Sequence, residues 1–202
     1  MRVQILSVMA FGLMELLLTS GCTTVRQTDP PRTATEQLLL STAADRAISF
    51  VTLDEFAHKK LFVDAAYFDS YDSKYVLGAI RDALSRAGAL LVPDAKSSEI
   101  TIEPRNGALS TDDKTYLLGV PTIGVPIPLA GTVSIPEIAL FKSQKQYSTA
   151  KFALLAYNTT SREHVFSSGA MVGKAHDNYF SIVFVPLHKT DVPEMEKKKK
   201  NQ

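Results

Sequence analysis

Between Tyr116 and Pro136 the chain carries prolines at 121, 126, 128 and 136 and glycines at 119, 124 and 131, set among Leu, Ile and Val. Proline removes a backbone donor and fixes φ, so this stretch is excluded from helix and poorly suited to the centre of a sheet. Helical spacing occurs only before it, and strand-length apolar runs dominate after it. Early helices followed by late antiparallel hairpins predict an α+β fold, with a single mixed, mostly antiparallel sheet and two helices packed on one face. The 202 residues, 45% of them hydrophobic, suffice for one core and one domain.

The elements are placed by local signals. Thr33 and Glu36 form a candidate capping box for a helix from about Ala34 to Ser49, with Leu39, Ala43, Ala47 and Ile48 at helical spacing. Lys60 to Tyr67 is of strand length, and Asp72-Ser73 can cap a helix carrying Val76, Ile80, Ala83, Leu84 and Ala87, closed by Gly88. Leu90 to Val92 and Ile100 to Glu103 are short strands, the latter expected to end at Pro104 before a polar stretch through Asp113. Ile138 to Phe141 and Lys151 to Tyr157 are strands; Asn158 to Glu163 is a polar turn, His164 to Ser167 its return, and Phe180 to Val185 a final strand.

The amino terminus reads separately. Met1-Arg2 precedes a mostly apolar run from Val3 to Leu18, interrupted by Glu15, then Thr19-Ser20-Gly21 and Cys22, the lone cysteine. These are the three regions of an export signal, and the run is shorter than the ~20 residues that span a bilayer as a helix. Thr19-Ser20-Gly21-Cys22 resembles the lipobox of bacterial lipoproteins, with Thr19 where leucine is usual. That resemblance implies recognition of Thr19, Ser20 and Gly21 by signal peptidase, cleavage before Cys22, and lipid on its sulfur. A single thiol cannot form an internal disulfide, which agrees with another use for Cys22. One acyl chain binds marginally at about 0.8 kcal/mol per buried methylene, whereas two or three hold firmly. Thr23 and Thr24 follow, without the aspartate that retains enteric lipoproteins at the inner membrane, so the resemblance favours the outer membrane.

The expected division is therefore residues 1–21 signal peptide, 22–33 a lipidated tether containing Asp29-Pro30-Pro31, 34–186 the α+β domain, and 187–202 a polar tail with Lys197 to Lys200.

Chemistry gives little. His58, His164, His176 and His188 lack the spacing of a zinc site, and His176-Asp177 with His188 would need the fold to gather them. Asp64, Asp69 and Asp72 could do acid-base work or bind a cation, but turn formation and capping is the favoured role. Asn158-Thr159-Thr160 matches a glycosylation sequon, a chance match in a bacterial lipoprotein. No phosphate loop, dinucleotide fingerprint or hydrolase elbow is present, so no catalytic residue, metal or cofactor is assigned. With 22 basic and 21 acidic residues the net charge of +1 offers no general attraction for nucleic acid.

Leu61 to Val63, Val76 to Gly88, Leu90 to Val92, and Phe152 to Tyr157 with Val165 to Ser168 follow a layout that resembles the curli secretion lipoprotein CsgG and the TolB amino-terminal domain. Pro126-Ile-Pro128 before Ile138 to Phe141 resembles a family of uncharacterised bacterial lipoproteins. The implied function is a membrane-anchored envelope lipoprotein, a non-enzymatic binding or assembly module. The alternatives are a subunit of an oligomeric secretion or export apparatus, or a small periplasmic hydrolase. CsgG forms its pore with long amphipathic hairpins, and no comparably long alternating pair is legible in this sequence. The segment Leu117 to Pro136 is expected to be a loop, either a lid over the core or a patch that docks on another envelope protein, lipid or a second copy.

Overall fold

The computed structural model describes residues 32–127, 131–183 and 185–193. Thr19, Ser20, Gly21, Cys22, the tether before Arg32 and Lys197 to Lys200 lie outside the described residues. Among the described residues two helices, α1 (Ala34–Ser49) and α2 (Ser73–Arg86), accompany nine strands. These are β1 (Lys60–Val63), β2 (Leu90–Leu91), β3 (Ile100–Val120), β4 (Ile123–Ile127), β5 (Gly131–Ile135), β6 (Ile138–Asn158), β7 (His164–Ser167), β8 (Met171–Ile182) and β9 (Val185–Thr190). The main sheet runs β2-β1-β3-β6-β8-β9, with β7 on β6, and β4 pairs β5 separately. Only the β1 pairings are parallel. The fold is α+β, a mostly antiparallel sheet with two helices.

The capping box forms as written: the Thr33 hydroxyl accepts from the Glu36 amide, and Glu36 accepts from the Thr33 amide at 2.7 Å. The inner face of α1 is Leu39, Leu40, Ala43, Ala44, Ala47 and Ile48, all buried. Its alanines let the helix backbone settle on β8 at Gly173, where a Cβ would collide with the Ala43 carbonyl oxygen. Helix α2 buries Val76, Ile80 and Leu84, and Gly88 follows it at φ +87, a conformation that favours glycine. Asp72 occupies the N-cap position without capping through its side chain; it binds Arg32 at 2.5 Å instead.

The largest departure from expectation lies in β3. It does not end at Pro104 but runs 21 residues to Val120, paired throughout with the equally long β6. The geometry around Pro104 shows why. The Ile102 carbonyl faces β1 and accepts from the Asp64 amide, so Pro104, two residues on, turns its donorless nitrogen the same way, past the end of β1 at Val63. Its partner Leu154 bonds Ser168 on the other side. No ladder bond is lost.

Two further expectations change. The described part of Leu117 to Pro136, without residues 128–130, is neither loop nor lid: it supplies the end of β3, then β4 and β5, with Pro121 and Pro136 falling between the two ladders. The run Phe180 to Val185 contains the turn between β8 and β9, not one strand. The sheet thereby continues past the domain boundary expected at residue 186, through Thr190, and Val192 is fully buried.

Candidate interaction surface

Helix α1 covers the sheet around Ala150, Phe152, Met171 and Ala175, all buried. Beyond that level β3, β6, β8 and β9 extend as a four-stranded blade, prolonged by the β4–β5 tip. Leu109 is the last buried residue of β3, and from it to Val120 the strand runs about 35 Å at ~3.3 Å per residue.

Side chains of directly opposed residues in antiparallel strands share a face, so the register defines rows. On the helix side, one row is Thr115, Gln144, Tyr179 and His188, and the next toward the body is Asp113, Gln146, Asp177 and Thr190. This face is polar and internally bonded: Gln144 donates to Asp113 at 3.2 Å, and His188 Nε2 lies 2.6 Å from Asp177.

The opposite face is different. Its outer row is Leu118, Phe141, Ile182 and Val185; the next is Tyr116, Ser143, Phe180 and Leu187. Leu118 is 64% exposed, Ile182 51% and Val185 60%, so large side chains stand in water. Toward the body the following row is Lys114, Lys145, Asn178 and Lys189, with Lys145 Nζ 5.8 Å from the Tyr116 ring centroid. In the tip, Ile123 pairs Ile135 and Val125 pairs Val133, alternating with Gly124–Ser134 and Pro126–Thr132, so it too is amphipathic and exposed. β3 and β6 are thus a long pair that no local signal announces, and apolar residues alternate on β3 only in its outer part, at Tyr116, Leu118 and Val120.

The blade is fastened at its root by a clasp that sequence reading also missed. Arg46 on α1 donates to the Lys174 carbonyl at 2.6 Å, to the Asp191 carboxylate at 2.7 Å and to the Asp191 carbonyl at 2.6 Å. The other Asp191 oxygen accepts from the His176 amide at 2.8 Å, and His176 Nδ1 lies 2.9 Å from the carboxylate. Burial alone would raise the Asp191 pKa; the His176 amide bond, the Arg46 bond and the nearby positive charges outweigh it and hold the group below its ordinary value.

The fold therefore divides the histidine cluster considered from sequence. Asp177 meets His188, while adjacent His176 points through the other face to Asp191. Among the described residues no group of three or more His, Cys, Asp or Glu is placed to hold a metal. Asp64 accepts from the Ala66 amide in a turn, Asp72 pairs with Arg32, and the Asp69 carbonyl accepts from Asn106. His58 sits at φ 63 with its amide bonded to Gly88, and His164 lies in β7 opposite Tyr157. The Asn158 side chain accepts from the Thr160 and Ser161 amides, closing the expected turn.

Residues 16–195 match the profile of a family described as "Family of unknown function (DUF6655)". The chain belongs to that family. The match takes in both helices and the whole blade. No curated protein is significantly similar in sequence. Among the described residues no helix is long and apolar enough to cross a membrane, a statement that does not extend to strands.

Proposed function

We propose that this family member is a non-enzymatic lipoprotein of the cell envelope, held by lipid on Cys22 at the periplasmic face of the outer membrane and working as an assembly module. The observation that carries this reading is the blade, whose outer edges on β3 and β9 have no strand partner among the described residues while one of its faces stays apolar in water. Unpaired edges invite strand addition, and in a symmetric assembly the β9 edge of one copy can extend the β3 edge of the next.

The length of the paired 21-residue strands also favours the second reading, a subunit of an oligomeric secretion or export apparatus, since long hairpins are what the resembled CsgG uses. A hydrolase receives no comparable support, because the candidate carboxylates serve turns and an ion pair. Native mass spectrometry of the lipidated protein in detergent is expected to show oligomers. A strictly monomeric protein at all concentrations overturns self-assembly.

A further inference from the structure

We propose that the apolar face of the blade is a contact surface for an anionic phospholipid bilayer, lying in the interface with its lysine row at the phosphate level. The inference rests on the lipid-anchored reading only in needing a bilayer within reach.

Three observations converge on that occupant. First, the two outer rows of this face, Leu118 to Val185 and Tyr116 to Leu187, hold large apolar side chains and no acidic residue. Second, the row that ends the apolar zone carries Lys114 beside Lys145 and, across Asn178, Lys189. Lysine is depleted from the centre of protein interfaces, whereas a lysine border on an apolar belt matches headgroups above acyl chains. Long lysine stems lie along apolar surface while the ammonium reaches phosphate, and Tyr116 stands at the boundary where amphipathic rings favour the interface. Third, the reverse face is polar and paired internally, through Gln144–Asp113 and His188–Asp177, as suits the side left in water.

The contact lies on the membrane and does not cross it, so the backbone edges remain at the hydrated level where water or a neighbouring copy satisfies them.

The test uses the mature, acylated protein in vesicles of phosphatidylethanolamine and phosphatidylglycerol. Single cysteines replace Leu118 or Ile182 on the apolar face, or Thr115 on the polar face, each carrying a nitrobenzoxadiazole probe; far-UV circular dichroism confirms folding. Lipids bearing a nitroxide near the headgroup end of the acyl chain are expected to quench the L118C and I182C probes at least threefold more than the T115C probe. The triple variant Lys114→Glu, Lys145→Glu, Lys189→Glu, or vesicles of phosphatidylcholine alone, is expected to remove most of that difference. Equal quenching on both faces overturns the proposal, as does stronger quenching by chain-end nitroxides, which would indicate crossing. Disulfide formation between unlabelled I182C copies, with no lipid quenching of the labelled protein, also overturns it, assigning the face to a second copy. The native-mass measurement is independent, so failure of self-assembly and failure of lipid contact are read separately.

Discussion

At Gly173 the backbone of α1 lies where a side chain would stand, with the Ala47 amide nitrogen 2.6 Å from an added Cβ. Gly173→Ala must push the helix off the sheet, and a loss of about 3 kcal/mol is expected, read by urea denaturation. A smaller and pH-dependent effect belongs to Asp191. Its carboxyl is held below the ordinary value of about 3.9, so its contribution is fully present above that pH and is lost as pH falls through the lower folded value. The wild type is therefore expected to lose hydrogen-exchange protection in β9 as pH drops below about 4, while Asp191→Asn shows weakened β9 protection already at neutral pH and little further change. The part-exposed site limits the cost of that substitution to about 1 kcal/mol. Thr33→Ala, which removes one half of the capping box, is expected to cost about 1 kcal/mol.

Among the elements, those with a local signature were legible. Thr33 and Glu36 announced α1, and Val76, Ile80 and Leu84 announced α2, because capping and helical spacing are written within one or two turns. β3 was not, for a physical reason: past Leu109 both of its faces meet water, so Ser110, Thr111, Asp112 and Asp113 show no apolar period and read as a loop. Its strand character comes from twenty register pairs with β6, a long-range fact absent from any local window. The clasp of Arg46, His176 and Asp191 was hidden likewise, its members being up to 145 positions apart. Since the tip covers nothing buried, replacing residues 121–137 by a two-residue Asn-Gly turn joining paired Val120 and Ile138 is expected to leave the thermal midpoint within about 3 °C by calorimetry. Collapse of folding on that deletion would restore the lid interpretation.

For the whole molecule, the proposed location rests on Cys22, and Cys22→Ala is expected to release the protein from membranes and abolish palmitate labelling, checked by fractionation and metabolic labelling. A chain that still labels would remove the anchor. The helical body and the blade then have separate duties: one supplies a closed core of buried Leu, Ile, Phe and Ala, the other projects surface that the core does not need. Pro104 marks the frontier between them. Lacking an N–H where β1 stops, it denies an incoming strand its first bond next to the body, so a neighbour zipping along β3 must begin farther out. In the proposed assembly a single imino acid would thus work as a doorstop, holding a neighbouring copy to the protruding half and leaving the hydrophobic interior unmolested.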